Sequence, residues 1–171
     1  MENDQFWNVL RGYMEPNSRV AEIYHGEKDD LLKGSSKIVG KSGIVYGIDS
    51  LNPFSHYPHM LKLQKIPNIR LIKAEIPPLP EEASDLDAII IREFIWTLES
   101  ENGAVKVNPE TCAEISKSIK NNGYLVLVLN NSEQIQENGN DPFYQQIINR
   151  YLPNFSKAYH NGPLIIFQKN K

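Results

Sequence analysis

Residues 43–49 read Gly-Ile-Val-Tyr-Gly-Ile-Asp, a run of mostly apolar residues that ends in one carboxylate. Because the apolar residues are continuous rather than alternating, the run is typical of a strand that is buried on both faces. Gly40 and Gly43 separate it from residues 31–39, whose apolar side chains recur at helical spacing. A helix followed by a doubly buried strand is the repeating unit of a parallel α/β sheet.

The same alternation continues on both sides of this stretch. Strands are predicted at residues 19–24, 43–49, 69–74, 86–91 and 124–129, with a closing pair at 155–159 and 164–168. Helices are predicted at residues 6–14, 31–39, 58–65 and 142–152, and from Pro109 to the Asn122-Gly123 pair, with a helical turn at 94–99. This order predicts an α/β fold, a Rossmann-like, doubly wound, mostly parallel sheet with a C-terminal antiparallel hairpin strand. Ligands of such sheets lie at the carboxyl ends of the strands.

Composition and charge narrow the class of protein. The chain has 171 residues, of which 40% are hydrophobic and 23% charged, which is enough for a packed core in a single domain. We expect an N-terminal helix within residues 1–17 and a Rossmann-like core over residues 18–171. The 18 Lys and Arg against 21 Asp and Glu leave a net charge of −3, so bulk charge gives no evident sign of nucleic-acid binding.

Targeting and metal-binding patterns are missing from the sequence. The first residues lack the basic and apolar regions of a secretory signal, and the apolar runs are too short for a membrane helix, which predicts a cytoplasmic protein without a membrane span. The single cysteine, Cys112, excludes a Cys-cluster metal site, and its place on the apolar stripe of a helix predicts a buried, inert thiol. His56 and His59 lack an evident third ligand, so no metal is predicted.

The segment that ends the first predicted strand, residues 22–28, reads Glu-Ile-Tyr-His-Gly-Glu-Lys. It resembles the acid-x-Gly-x-Gly-x-Gly loop of the class I S-adenosylmethionine-dependent methyltransferases. Glu22 stands in the acidic place and Gly26 is the middle glycine, whereas Tyr24 and Lys28 replace the outer two. Glycines in such a loop permit positive φ and let the backbone approach a ligand closely.

The resemblance extends over residues 6–168. Gly47-Ile48-Asp49 is similar to the end of that family's second strand, where an acid holds the two ribose hydroxyls. Residues 74–80 read Ala-Glu-Ile-Pro-Pro-Leu-Pro. This segment resembles the family's third strand end, where an acid near the adenine is followed by Leu-Pro, with Glu75 in the acidic place. Residues 86–98 resemble the fourth strand with its following turn, and residues 119–127 resemble the lead into the fifth strand.

This resemblance implies S-adenosyl-L-methionine as the cofactor, with Asp49 at the ribose and Glu75 on the adenine side. No catalytic residue is implied. Arg92 follows the fourth strand, where it either contacts a ligand or forms a solvated pair with Glu93. The residues implied to bind the cofactor are Glu22, Tyr24, Gly26, Asp49, Ser50, Glu75, Ile76 and Arg92.

Two functions of different class remain open at this stage. The first is methyl transfer to a small molecule or to an acceptor presented by a partner, with a homo- or hetero-oligomer as a way to complete the substrate site. The second is a catalytically inactive pseudoenzyme that serves as a binding or scaffolding subunit, because the Tyr24 ring takes space that the cofactor's amino-acid tail needs. Glu22 either contacts the cofactor or caps the loop, and His25 is either a general base or a structural residue. A different nucleotide ligand held by Lys28 is a third, weaker interpretation, because the loop lacks phosphate-binding glycines.

Overall fold

The computed structural model describes residues 3–51, 58–92, 98–101, 104–129 and 142–171. Its helices are α1 (Asn3–Leu10), α2 (Asp30–Val39), a 3₁₀ helix (Pro58–Lys65), α3 (Pro109–Ser118) and α4 (Pro142–Tyr151). Its strands are β1 (Arg19–Ile23), β2 (Ile44–Asp49), β3 (Ile69–Lys73), β4 (Leu86–Arg92), β5 (Leu98–Glu101), β6 (Ala104–Val107), β7 (Ile119–Val128), β8 (Phe155–Asn161) and β9 (Leu164–Lys169).

Seven of these strands form one sheet in the order β3-β2-β1-β4-β7-β9-β8. The first five are parallel to one another, whereas β9 runs antiparallel to both β7 and β8. The predicted fold class is therefore confirmed, including the closing hairpin, which puts β8 at the edge. The strand order reverses between β1 and β4, so this is the switch point at which α/β sheets bind ligands.

Two apolar cores cover the two faces of the sheet. On one face, α1, α2 and the 3₁₀ helix bury Leu10, Leu32 and Leu63 against β1, β2 and β4. On the other face, α3 and α4 bury Ile115 and Ile148. Because both faces are covered, the central strands carry apolar residues at successive positions, as the sequence pattern indicated.

Close packing of α1 on α2 depends on a glycine in the middle of α2. A Cβ added at Gly34 would lie 1.9 Å from Cη2 of the Trp7 ring. Glycine costs about 1 kcal/mol relative to alanine inside a helix. The Trp7 ring occupies the space that a Cβ would need, which explains why glycine occurs here despite its lower helix propensity.

Three boundaries differ from the sequence predictions. Residues 98 and 99 belong to the β5–β6 hairpin rather than to a helical turn, and residues 94–97 lie outside the described residues. Helix α3 ends at Ser118, and β7 begins at Ile119, five residues before the predicted strand. Ile119 pairs with Leu86 and Tyr124 with Ala88, so the Asn122-Gly123 pair lies in a bulge of residues 120–123 within β7 and does not end a helix.

Smaller differences occur at helix and strand ends. Helix α1 ends at Leu10 rather than at residue 14, and β1 ends one residue before Tyr24. The predicted cap of α3 is confirmed, since the Asn108 side chain accepts hydrogen bonds from the backbone N–H groups of Glu110 and Thr111. Among the described residues, no helix is long and apolar enough to cross a membrane.

Candidate functional site at the carboxyl ends of the strands

In the loop after β1, a tyrosine occupies a position whose backbone has the conformation that glycine ordinarily adopts. Tyr24 has φ +56° and Gly26 has φ +58°, and both positions match glycines in the resemblance. The left-handed conformation costs a residue with a side chain about 1–2 kcal/mol. Tyr24 therefore adopts a conformation that its own side chain disfavours.

The side chain of Tyr24 joins the ends of β1 and β3. Its hydroxyl donates a hydrogen bond to the Ile76 carbonyl oxygen over 3.1 Å, and its backbone N–H donates to the Ile48 carbonyl oxygen over 2.8 Å. Burial raises the pKa of the Tyr24 hydroxyl, and the nearby carboxylates of Glu75 and Asp49 raise it further. The phenol therefore stays protonated and remains a donor near neutral pH.

Asp49 ends β2 with a carboxylate that is held by backbone groups. Its Oδ2 atom accepts from the Gly26 N–H over 2.9 Å, and its Oδ1 atom accepts from the Leu51 N–H over 3.0 Å. The residue is 5% exposed. A carboxylate has about four acceptor positions, so these two bonds leave each oxygen able to accept one more.

Glu22 and Arg92 form a second cluster, on the face of the sheet that α2 covers. The Nε atom of Arg92 lies 3.6 Å from Oε1 of Glu22, and its Nη2 atom donates to Oδ1 of Asp30 over 2.7 Å. Burial raises the pKa of Glu22 to about 8; the charges of Asp30 and Asp29 raise it as well, while Arg92 lowers it. Neither Glu22 oxygen nor the Arg92 Nε atom has a hydrogen-bond partner among the described residues.

His25 is a buried residue of the loop after β1. Its Nδ1 atom lies 2.7 Å from the Gly26 carbonyl oxygen, whereas its Nε2 atom lacks a hydrogen-bond partner among the described residues. Burial lowers the pKa of His25, although the bond to Gly26 and the charge of Asp49 act in the opposite direction. The neutral ring therefore donates from Nδ1 and holds the loop, which favours the structural interpretation of His25.

The remaining candidates for reactive or metal-binding groups are dispersed. His59 is exposed and contacts the Glu27 carbonyl oxygen over 2.7 Å, while His56 lies outside the described residues. In the part of the chain that the structure describes, no group of three or more His, Cys, Asp or Glu side chains is placed to hold a metal ion. Cys112 is buried, and burial raises the pKa of its thiol to about 11, so the expectation of an inert thiol is consistent with its surroundings.

The structure divides the residues implied by the resemblance into two groups. Tyr24, Gly26, Asp49 and Ile76 come together as one cluster, which we call the cleft, with half-buried Ser50 beside it and exposed Glu75 at its margin. Glu22 and Arg92 lie apart from the cleft as a buried pair, with Arg92 Nε 3.6 Å from Glu22 Oε1. The solvated interpretation of Arg92 is wrong, because its side chain is only 10% exposed.

Sequence reasoning did not identify Asp30 as the partner of Arg92. The only available signal was the Asp29-Asp30 pair, which precedes the apolar stripe of α2. An acid at this place is typical of any helix N-terminus, so the pattern alone did not indicate a contact with residue 92.

The cleft fits part of an S-adenosyl ligand as it stands. Asp49 retains acceptor capacity for two hydroxyl groups, and a Cβ placed on Gly26 would meet nothing within 4 Å, so a ligand can approach the backbone there. The hydrogen bond from the Tyr24 hydroxyl to the Ile76 carbonyl oxygen closes the cleft on the side of the loop after β3. A ligand that extends across the loop therefore requires the Tyr24 side chain to leave Ile76.

Comparison with known proteins gives a consistent assignment of the fold. The chain aligns over 100% of its length with 67% of an S-adenosylmethionine-dependent O-methyltransferase from Thermotoga maritima, at 12% identity and a TM-score of 0.66. It aligns over 95% with 87% of an S-adenosylmethionine-dependent methyltransferase from Aquifex aeolicus, at 17% identity and a TM-score of 0.67. An rRNA methylase from Streptococcus thermophilus aligns over 98% of this chain and 96% of its own, at 15% identity and a TM-score of 0.63.

The likeness rests on structure, because no protein-family model and no curated protein sequence matches the chain. The alignments with the matched structures extend over nearly the whole chain. The chain therefore has the fold of the class I S-adenosylmethionine-dependent methyltransferases.

Proposed function

We propose that the protein binds an S-adenosyl ligand in the cleft and transfers its methyl group to a small molecule or to an acceptor presented by a partner. The observation that carries this proposal is the position of Asp49. Its buried carboxylate ends the second strand beside the switch point, is anchored to the Gly26 N–H, and keeps acceptor capacity on both oxygens. Paired ribose hydroxyls require this arrangement of acceptors.

The chain's own residues bind and orient in this proposal, and none of them forms a covalent bond. Asp49 accepts from the ribose hydroxyls, Gly26 leaves room for the ligand, and Glu75 lies on the adenine side. The ligand supplies an electrophilic methyl group. The protein contributes by holding the acceptor in line with that group, which removes the entropic cost of the encounter.

Tyr24 controls access to this site. To admit a complete S-adenosyl ligand its hydroxyl has to give up the bond to the Ile76 carbonyl oxygen. A neutral hydrogen bond of this kind contributes about 0.5–1.5 kcal/mol net, which is small against the binding energy of a cofactor. Tyr24 therefore weakens the binding of the ligand without abolishing it.

The Tyr24 contact also favours a second candidate function. If the bond to Ile76 and the packing of the ring hold in solution, the cleft stays closed and the protein is a pseudoenzyme that serves as a binding or scaffolding subunit. The two functions differ in whether the wild-type protein binds S-adenosyl ligands at all.

Calorimetric titration with S-adenosylmethionine and S-adenosylhomocysteine separates these functions. The variants are Asp49→Ala, Tyr24→Gly and, as a matched control, Asp87→Ala. The Asp87 carboxylate also accepts from a backbone N–H, that of Arg19, but it does so at the opposite end of the sheet. We expect wild-type binding, a loss of about 1–3 kcal/mol in Asp49→Ala, and no change in Asp87→Ala.

Other outcomes are equally informative. Binding that appears only in Tyr24→Gly would support the pseudoenzyme, because the cleft would be competent but closed. No binding by wild type or by Tyr24→Gly, with both proteins folded, would overturn both forms of the S-adenosyl proposal. Once binding is established, transfer of a radiolabelled methyl group to small-molecule and RNA pools tests the acceptor; the RNA pool is included because one structural neighbour is an rRNA methylase.

A further inference from the structure

Positive charge is concentrated in one segment of the chain, although the protein as a whole is acidic. Residues 31–74 contain seven Lys and Arg and a single acid, Asp49, which is buried. The rest of the chain holds the other 20 acids and only 11 of the 18 Lys and Arg. The net charge of −3 therefore conceals a strongly basic region.

Six of these seven cations are exposed and lie at one edge of the sheet. Among the described residues, none of the six forms a hydrogen bond or an ion pair. The seventh, Lys33, pairs with Asp29. We call the six side chains the basic edge: Lys37, Lys41, Lys62, Lys65, Arg70 and Lys73.

The 3₁₀ helix turns two of these cations outward. Its buried residues Met60 and Leu63 are three positions apart, and so are Lys62 and Lys65 on its exposed side. Side chains three residues apart eclipse one another in a 3₁₀ helix, so the two lysines form a row. The helix ends at Lys65, shortly before β3 begins.

Asn68 connects this row to the end of α2. Its side chain accepts a hydrogen bond from the Ser36 hydroxyl over 2.7 Å and donates one to the Gly40 carbonyl oxygen over 2.7 Å. Lys37 and Lys41 each follow one of these two residues in the chain. Both lysines therefore lie near the turn that joins the 3₁₀ helix to β3, and their charges belong to the same edge.

The last two cations belong to β3, which is the outermost strand on this side of the described sheet. Side chains alternate between the two faces of a strand, so Arg70 and Lys73 point to opposite faces. Lys73 pairs in register with Asp49, which places one end of the basic edge next to the cleft. Charges on an edge strand also prevent edge-to-edge association, but that role does not require the four lysines outside β3.

We propose that the basic edge binds single-stranded RNA through its phosphate backbone. Phosphates complement cations that no described acid neutralises. A flexible strand can follow cations around both faces of an edge, whereas a planar membrane cannot contact both faces at once. RNA is recognised mainly in its single-stranded regions, while DNA is largely a stiff duplex. Docking itself requires no S-adenosyl ligand; that the bound RNA presents the methyl acceptor to the cleft rests on the proposed function.

The probe is a fluorescently labelled oligouridylate of about 16 nucleotides, titrated without an S-adenosyl ligand. The test variant combines Lys62→Gln and Lys65→Gln, which removes the exposed row of the 3₁₀ helix and should leave the protein folded. The control combines Lys157→Gln and Lys171→Gln, which changes the net charge equally; Lys157 is an exposed cation of β8, at the opposite edge of the sheet. We expect at least a tenfold loss of affinity in the test variant and little change in the control.

Equal losses in the two double variants would overturn the proposal, because binding would then follow net charge rather than one surface. The salt dependence of the wild-type protein gives a test without substitutions. For single strands, the logarithm of the binding constant falls against the logarithm of salt concentration by about 0.7 per neutralised phosphate. Contacts to most of the basic edge predict a slope of about −3 to −4, reduced by about 1.4 in the test variant. A slope near zero would contradict phosphate docking.

Other anions identify other partners. Vesicles of phosphatidylcholine and phosphatidylserine represent a membrane, polyglutamate represents an acidic protein, and a DNA duplex of equal length represents a stiff nucleic acid. We expect each to bind more weakly than oligouridylate. Tighter binding of any of them, lost in the test variant, would overturn single-stranded RNA as the partner. Calorimetry with S-adenosylmethionine on the same variants should show unchanged binding, so a failure of RNA docking is distinguished from a failure of the cleft.

Discussion

The cleft and the Glu22–Arg92 cluster lie on opposite sides of β1, and their polar groups differ in whether the chain supplies hydrogen-bond partners. In the cleft, the Tyr24 hydroxyl and each Asp49 oxygen have one hydrogen bond to a backbone group of the chain. In the Glu22–Arg92 cluster, both Glu22 oxygens and the Arg92 Nε atom lack hydrogen-bond partners among the described residues. Glu22 and Tyr24 are two residues apart, yet Tyr24 packs against the core on the α3 side and Glu22 lies on the α2 side, like Val20.

This difference shows how the loop after β1 remains folded with Tyr24 at a position of positive φ. Tyr24 keeps the positive φ of the position it occupies and uses its own hydroxyl to bond the next loop. The cleft is thereby stabilised without a ligand. The Glu22–Arg92 cluster keeps buried polar groups whose hydrogen bonding is incomplete, and such groups are costly unless something completes their bonds.

The largest expected effect comes from removing the charge of Glu22. Because its pKa is about 8 in the folded protein against an ordinary value of 4.5, the folded state holds a proton that the unfolded state releases between these two pH values. The free energy of unfolding of the wild-type protein should therefore fall as pH rises from about 4.5 to 8. Glu22→Gln should lose this dependence and be more stable than wild type at pH 9 by a few kcal/mol, since each pKa unit corresponds to about 1.4 kcal/mol.

Urea unfolding at pH 5, 7 and 9 measures this effect. Glu75→Gln is the matched control, because Glu75 is an exposed acid on the cleft side and should follow the wild-type profile. Parallel profiles for wild type and Glu22→Gln would show that the Glu22 carboxyl titrates normally and that the two regions do not differ in this respect.

A smaller effect is expected from Gly34→Ala, which alters the packing of α1 on α2. The added Cβ would lie 1.9 Å from the Trp7 ring, so α1 has to move, and overpacking of this kind costs about 1–3 kcal/mol. Denaturant unfolding together with Trp7 fluorescence in a Trp96→Phe background reports both the cost and the displacement. In a Trp7→Ala background the same substitution should instead stabilise by up to about 1 kcal/mol, through helix propensity. Destabilisation in both backgrounds would mean that Trp7 is not the cause.

The smallest effect is expected in the cleft, from Tyr24→Phe. This change removes the hydroxyl that bonds the Ile76 carbonyl oxygen and keeps the ring, so it should cost about 0.5–1.5 kcal/mol. Tyr151→Phe provides the control, because Tyr151 is a partly buried tyrosine packed against the same core. Thermal unfolding of both variants measures the difference. A Tyr24→Phe variant as stable as wild type would show that the hydroxyl does not hold the cleft closed.

Most of the fold could be predicted because its signals are local. Runs such as residues 86–91 are apolar at successive positions, and helical spacing separates them, so the parallel sheet and the closing hairpin follow from the pattern. The bulge in β7 was not predictable in the same way. An Asn-Gly pair ordinarily ends an element, and only the pairing of Ile119 with Leu86 continues the strand through it.

The sequence by itself determined which carboxylates and loops stand at the ends of the strands. Asp49 and the segment 22–28 each come at the end of an apolar run, and the fold class sets the direction of those runs in the sheet. Tertiary structure alone decided what those groups bond. The Asp49 contact with Gly26 spans 23 positions, the Arg92 contact with Asp30 spans 62, and the Tyr24 contact with Ile76 spans 52. Such bonds depend on strand order and on which face each side chain occupies, and these are properties of the assembled sheet rather than of any one segment.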